Sequence, residues 1–379
     1  MDNTGVLRAT RALIHIDYLR ENIALVREKT GTKILMPVKA DAYGHGALAV
    51  ANAALGAGVD YLAVATVGEG RELRAAGITA PIILLSIAIP EETDSLVDAG
   101  LDAFAGDSEY AGLLEKSAAK AGKNINVHLK IDTGMGRIGC IPSEAAALAG
   151  LVAGSKHLTL AGTATHLAVS DSTEKEDIAY TKKQLELFVA AVDNIKKAGI
   201  DPGIVHAANT GGVTFHNDSW FDMVRPGILL YGYAPYGQDG KAALAVKPLM
   251  ELQSALTFIK NVKKGQSVSY GRTWTAGEDT LIGTIPLGYA DGLSRMLSNN
   301  WKIALGSGKQ DELRPLVGRI CMDQCMVNLG KDSTVRRWDT VTIFGGKAPH
   351  AGIMAETLKT IPYEVTCNIN KRVPRVYLG

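Results

Sequence analysis

From residue 34 to about residue 230 the chain repeats one pattern eight times: a short apolar run, then a longer segment rich in Ala, Leu, Glu and Lys. The runs are ILMPV (34–38), YLAVA (61–65), IILL (82–85), DAFAG (102–106), VHLKI (127–131), LAGTATHL (160–167), IVHAA (204–208) and MVRPGI (223–228). Between them lie amphipathic stretches such as HGALAVANAALGAG and SEYAGLLEKSAAKAG. Runs this short and apolar read as strands buried on both faces, and strand then helix in tandem builds a parallel sheet. Eight such units predict a (β/α)8 barrel of the TIM type over residues 12–240. A doubly wound open sheet is the alternative. It more often carries a glycine-rich phosphate loop after its first strand, and KADAYGHG is not G-x-G-x-x-G.

After about residue 240 the texture changes to alternating, β-branched runs cut by Gly, Asn and Asp, as in LMELQSALTFIKNV, DTLIGTIPLGYADG and DTVTIFGG. This predicts a second, mainly β domain over residues 241–379. TRALIHID near the N-terminus alternates in the same way, so an N-terminal strand, placed at residues 1–11, is expected to pair with that domain. With 379 residues and 46% hydrophobic content the chain can bury a substantial core. Its 40 basic residues balance 39 acids, which gives no reason to expect nucleic acid as a partner. No apolar run approaches the ~18 residues of a membrane span, so the expectation is a soluble, cytoplasmic protein without a membrane partner. The four cysteines match no common zinc spacing, and no metal is predicted.

In a barrel of this kind the chemistry stands at the C-terminal ends of the strands. Lys39 follows the first, with Tyr43 and His45 just beyond; Lys130 and Arg137 belong to the fifth; His166 ends the sixth; NTGG (209–212) follows the seventh; Arg225 belongs to the eighth. The set is basic. NTGG and RPGI offer backbone N–H groups beside glycines that let an anion approach, where this barrel usually holds phosphate. A phosphate there with a lysine pointing in suits pyridoxal phosphate carried on that lysine. The amine is then able to take or give a proton at Cα once an amino acid displaces it.

The motifs MPVKADAYGHG, HLKIDTGMGRIG, THLAVSD, ANTGG, RPGILLYG, VSYGRTW, PLGYADG, GRICMDQ and IPYEVTC span essentially the whole chain. In order and spacing the sequence resembles the pyridoxal-phosphate-dependent alanine racemases of fold type III. The resemblance implies a barrel plus a β domain, a head-to-tail homodimer with active sites shared between subunits, alanine as substrate and pyridoxal 5'-phosphate as cofactor. It implies that the enzyme supplies D-alanine for peptidoglycan. Lys39 is then the cofactor lysine and the base on the D-alanine side, and Tyr270, from the partner subunit, the base on the L-alanine side. Arg225 faces the pyridine nitrogen and His166 links it to Tyr270. The phosphate falls to Tyr43, Thr210, the Gly227 and Ile228 backbone and Tyr363. Leu85 and Asn209 complete the cofactor contacts. Arg137 reaches the cofactor's phenolic oxygen and the substrate carboxylate, Met322 completes the carboxylate pocket, and Tyr289 with Tyr363 narrows the mouth. Lys130 matches a lysine that is often carbamylated.

Two bases are needed because racemisation removes a proton from one face of Cα and returns one to the other. Lysine and tyrosine ordinarily hold their protons to about pH 10, so a site using them as bases has to lower that barrier. For Lys39, burial and neighbouring cations act in that direction.

Taken one at a time the residues have plainer readings. Lys39 alone reads as a surface lysine, His166 as a hydrogen-bonded core histidine, Tyr270 as strand packing, and Arg225 as a structural partner of an acid such as Asp222. Arg137 reads as a loop staple, and Lys130 as a buried lysine paired with a carboxylate. His45 reads as supporting structure at a helix start. Three other functions compete: a racemase of broader specificity on the same fold, acting for example on serine; a lone-barrel pyridoxal-phosphate carrier without catalysis, against which the β domain with SVSYGRTW argues; and a decarboxylase of similar architecture, which needs an acid where Arg225 stands.

Overall fold

A computed structural model describes residues 8–237, 240–306 and 313–379. The first strand, β1, is Arg11–His15. Eight parallel strands follow: β2 (Lys33–Pro37), β3 (Tyr61–Val64), β4 (Ile82–Leu84), β5 (Asp102–Ala105), β6 (Ile125–Lys130), β7 (Leu158–Ala164), β8 (Ile204–His206) and β9 (Met223–Val224). They are joined side by side in the order β8-β7-β6-β5-β4-β3-β2-β9. The sheet is a nearly closed barrel. Its strands are buried almost throughout, as strands covered on both faces must be. Leu35, Ala63, Ile83, Phe104, Ala164 and Met223, one from each of six strands, pack together inside.

The seam between β8 and β9 is stitched by Asp222. Its carboxylate accepts from the Val205 N–H at 2.8 Å, and its own N–H donates to the Val205 carbonyl at 3.0 Å. Asp222 is therefore spent on closing the sheet rather than on pairing with Arg225. The helices between strands are bounded by ordinary capping chemistry. Asp107 accepts from the Tyr110 N–H at the start of Ser108–Ala121, and Gly122, at φ 62°, ends that helix in the left-handed region.

The second unit carries β10 (Met250–Ala255), β11 (Phe258–Val262), β12 (Ser267–Val268), β13 (Trp274–Thr275), β14 (Thr280–Ile285), β15 (Lys302–Leu305), β16 (Leu313–Pro315), β17 (Cys325–Gly330), β18 (Thr340–Phe344) and β19 (Arg375–Leu378). One sheet runs β16-β15-β18-β10-β1-β19, a second β11-β14-β17, and β12 with β13 forms a ribbon. Here β10 and β17 alternate buried with half-buried residues, the period-2 signature of sheets covered on one face. The strand placed at residues 1–11 is Arg11–His15, antiparallel to β10 and parallel to β19. Residues 1–7 lie outside the described residues. Residues 12–18 and 43–46 group with the β unit, and 241–247 with the barrel, so both boundaries differ from those read in the sequence.

Asp291 anchors one turn of the β unit. Its buried carboxylate accepts from Arg8 Nη1 and Arg372 Nε, each at 2.6 Å, and from the Gly288 N–H at 3.0 Å. Burial raises this carboxyl's pKa, but the hydrogen bonds from Arg8, Arg372 and Gly288 outweigh it, leaving it below the ordinary value. Asp291→Asn is expected to cost about 2–3 kcal/mol in a urea melt. In the parent protein the contribution is complete above the unfolded carboxyl value, about pH 4, and is lost as pH falls through the lower folded value. A urea midpoint in Asp291→Asn equal to the parent's at neutral pH contradicts this role.

Candidate active site

Lys39 opens a short helical turn, Lys39–Gly44, directly after β2. The turn is left-handed: φ is 51° at Ala40, 55° at Asp41, 51° at Ala42 and 53° at Tyr43. Each such residue costs roughly 1–2 kcal/mol relative to the right-handed form, so neighbouring groups must hold the turn. The Ala42 N–H donates to the Val38 carbonyl at 2.8 Å, the Ala40 N–H to Glu69 Oε1 at 2.7 Å, and the Ala47 N–H to Asp41 Oδ1 at 2.8 Å. Glu69 also caps its own helix, Val67–Ala75, by accepting from the Ala65 and Thr66 N–H groups. One carboxylate thus ties the residue after Lys39 to the end of β3. Buried His45 donates to the Tyr43 carbonyl at 2.9 Å, which makes it structural support for the turn. Gly44 and Gly46, at φ 82° and 94°, have no room for a side chain: a Cβ would overlap the Thr366 carbonyl at one and the Tyr377 hydroxyl at the other.

At the other strand ends of the barrel unit the polar side chains converge. Arg225 follows β9 and is buried. Its Nη2 donates to the Thr165 carbonyl at 2.6 Å, the Ala207 carbonyl at 3.0 Å and His166 Nδ1 at 3.3 Å, and its Nη1 lies 3.0 Å from His206 Nδ1. Burial, then Arg137, lowers its pKa to about 10, which leaves the guanidinium charged at neutral pH. His166 stands two residues beyond the end of β7. Burial first, then Arg225, Arg137, Lys130 and Lys39, holds its pKa well below the usual histidine value. It is a neutral ring that accepts at Nδ1. Lys130 ends β6, donates to the Ile131 carbonyl at 3.1 Å, and is brought to about 8 by burial, with Arg225 adding to the effect.

Arg137 rides on a loop closed at its base by paired bonds: the Asp132 N–H to the Cys140 carbonyl, and the Cys140 N–H to the Lys130 carbonyl. Asp132 Oδ1 accepts from the Gly134 and Gly136 N–H groups, so the loop is stapled by Asp132, and Arg137 is exposed on it. Asn209 caps Thr210–Phe215, accepting from the Gly212 N–H at 3.1 Å and from Ser170 Oγ at 2.6 Å. Thr210 is buried and accepts from the Leu229 N–H. The glycines of NTGG also have a packing reason. A Cβ at Gly211 would overlap the Ser170–Asp171 backbone, and one at Gly212 would crowd Ser219 and Ala208. Leu85, after β4, packs against the barrel core.

In the β unit, Tyr270, Tyr289 and Met322 sit on loops bound to one another. Ser269 Oγ donates to the Arg319 carbonyl at 2.6 Å, the Tyr289 N–H to the Cys321 carbonyl at 3.1 Å and the Ala290 N–H to the Met322 carbonyl at 3.0 Å. Tyr270 is 68% exposed, Met322 53% and Tyr289 44%. Tyr363, on the helix Pro362–Cys367, packs its ring 5.3 Å from that of Tyr43. Burial, then Tyr363, raises the Tyr43 pKa, so its phenol stays protonated and able to donate. The four cysteines are free thiols. Among the described residues no helix is long and apolar enough to cross a membrane.

The reading of the sequence passed over Asp102, His128 and His206, which extend inward from Arg225, and Glu69. The signal for the first three was present: each is a polar residue inside an apolar strand run, where burial demands a partner. Lys39, Lys130, Arg137 and Arg225 all bear electrostatically on His166. This donor set fits an anionic, phosphate-bearing cofactor with a reactive aldehyde.

The family model for the alanine racemase N-terminal domain matches residues 14–235, and that for the C-terminal domain residues 249–377. An alanine racemase of Treponema denticola is 49% identical over 98% of this chain and 99% of its own length. One from Treponema pallidum is 43% identical over 98% and 100%. Among solved structures, alanine racemase from Clostridium difficile superposes with a TM-score of 0.91 at 38% identity, covering 98% of this chain and 96% of that one. Alanine racemase from Streptomyces coelicolor gives 0.90 at 34% over the whole of both chains. With both domain models matched and identity this high along its full length, the chain belongs to the alanine racemase family.

Proposed function

We propose that the chain interconverts L- and D-alanine with pyridoxal 5'-phosphate, as a cytoplasmic homodimer whose product feeds peptidoglycan synthesis. The observation that carries the reading is Arg225: a buried guanidinium at the barrel mouth, bonded to two carbonyls and two histidines and to no acid among the described residues. The cofactor, once an amino acid has taken the place of Lys39 on it, would make the Cα–H of that amino acid acidic. Arg225 would meet the pyridine nitrogen as a hydrogen-bond donor that does not hand over its proton at neutral pH. This limits charge withdrawal into the ring and favours plain proton exchange over transamination or decarboxylation.

Lys39 takes or returns the proton on one face of Cα, and Tyr270 of a second copy does so on the other. Neutral His166, which accepts from Arg225, has its Nε2 proton free to orient the Tyr270 oxygen. The exposure of Tyr270, Tyr289 and Met322 in the single chain supports a face that a second copy covers. Thr210, the Gly227 and Ile228 N–H groups, Tyr43 and Tyr363 are the phosphate donors, with Asn209 setting the Thr210 turn and Leu85 backing the ring. Arg137 and the Met322 N–H receive the substrate carboxylate, and Tyr289 with Tyr363 restricts the side chain to a methyl group. A chiral assay over all small amino acids tests the substrate: alanine is expected to exceed serine by at least about tenfold, and equal rates favour the broader racemase.

Lys130, with its pKa brought to about 8, is roughly one-tenth unprotonated at pH 7, well above an ordinary lysine, and that is the form that reacts with carbon dioxide. Its carbamate would place a negative charge beside Arg137. With 13C-bicarbonate, a carbamate carbon resonance is expected in the parent protein and not in Lys130→Arg. Its absence from both removes the modification from this reading.

A further inference from the structure

A buried charge needs a counter-charge, and the guanidinium of Arg225 has no carboxylate beside it among the described residues. Inward from it, three polar side chains cross the apolar interior of the barrel. Arg225 Nη1 lies 3.0 Å from His206 Nδ1, and His206 Nε2 lies 3.0 Å from His128 Nδ1. His128 Nε2 lies 3.8 Å from Asp102 Oδ2, and Asn126 Nδ2 donates to Asp102 Oδ1 at 3.2 Å. Both histidines are fully buried and Asp102 is 6% exposed. Phe104 stacks on His206 and meets His128 edge-on, and Tyr61 also meets His128 edge-on.

The barrel makes room for this line. His128 stands opposite Gly162 in the β6–β7 pairing, immediately after a register shift, and a Cβ at Gly162 would overlap His128 Nδ1. His128 Nε2 and Asp102 Oδ2 are both buried without a hydrogen-bond partner among the described residues, and they face each other.

The polarity of every link follows from the first. Arginine only donates, so His206 Nδ1 accepts and a neutral His206 carries its proton on Nε2. That N–H meets His128 Nδ1, which must accept, so the His128 proton is on Nε2 and points at the carboxylate. Burial, then Arg225, keeps His206 neutral.

We propose that His206, His128 and Asp102 form one polarised relay that carries the counter-charge of Arg225 to the far end of the barrel, making Asp102 a positioning residue for the guanidinium. Asp102 opens β5 at the N-terminal end of the barrel, whereas Arg225 follows β9 at the C-terminal end. The effect on catalysis rests on the racemase reading; the relay itself does not.

The test is two-dimensional 15N NMR on histidine-labelled full-length protein, with and without pyridoxal phosphate, for the parent, Asp102→Asn and His128→Phe. In the parent, both rings are expected neutral with the proton on Nε2. Asp102→Asn is expected to move the His128 resonances and, one link further, those of His206; His128→Phe should shift His206 Nε2–H upfield as it loses its acceptor. A proton on Nδ1 of either ring in the parent, or His206 resonances in Asp102→Asn identical to the parent's, overturns the relay. Should either variant fail to fold, the parent's tautomers still decide. In loaded enzyme both variants are expected to lower kcat about tenfold, the scale of lost outer-layer partners, with little change in KM and a shifted cofactor absorbance. Parent-like kcat and absorbance in a variant whose His206 resonances have moved overturn the positioning role. A parent that shows the NMR signature but does not racemise alanine sinks the proposed activity and leaves the relay standing.

Discussion

Lys39→Ala is expected to lower alanine racemisation by at least about a thousandfold in both directions, because it removes the covalent attachment point of the cofactor and one of the two bases together. The same variant should purify without the visible absorbance of a lysine-bound cofactor, and borohydride should fix no label in it. The argument rests on placement. Lys39 is held at the barrel mouth by a left-handed turn whose residues are tied down by Val38, Glu69 and Ala47, so no other amine slides into its position. A variant that kept its absorbance and its rate would remove Lys39 from the chemistry and with it the whole proposed function.

Tyr270→Phe should cost about 10²–10⁴-fold, the usual contribution of a positioned general base, while leaving cofactor binding intact. Both directions fall, because the proton that one base removes has to be balanced by the other on the opposite face. Since Tyr270 is assigned to a second copy, mixing the two inactive variants gives a sharper result. Random exchange makes half of the dimers mixed, each with one fully intact site of two. Activity should recover to roughly a quarter of the parent's under isologous pairing. If Tyr270 served its own chain, no mixed dimer would contain an intact site, and the mixture would stay as inactive as its components.

The barrel was legible because buried parallel strands need continuous apolar runs, and each of the eight runs overlaps an observed strand within a few residues. The β unit announced itself through alternation, as in β10 and β17. Local periodicity says less about ends and handedness. The N-terminal strand lies at Arg11–His15 because the alternation of RALIH, not the chain start, sets its register against β10 and β19. Nothing in KADAYGHG announces a left-handed turn, since four non-glycine residues in a row adopt it only under tertiary restraint. Asp102, His128 and His206 were hidden by their surroundings: a single polar residue hardly disturbs an apolar run, and only the folded barrel reveals that the three fall in line. The glycines at 211 and 212 have a packing reason that the sequence does not show. Beside the phosphate-loop reason available from sequence, the space on their Cβ side is filled by the chain itself.

The turn after Lys39 also bears on how the chain folds. Residues 43–46, an interior stretch of the barrel's sequence, group with the β unit, where Tyr43 packs on Tyr363, Gly44 abuts Thr366, and Gly46 abuts Tyr377. A fragment ending at Lys247 keeps every barrel strand yet loses all three of these partners. Tyr43 would then lose its ring partner, while the bonds that hold Ala40–Ala42, to Val38, Glu69 and Ala47, would remain. The far end of this turn, Tyr43 to Gly46, is in this sense completed only once residues 363–377 have been made.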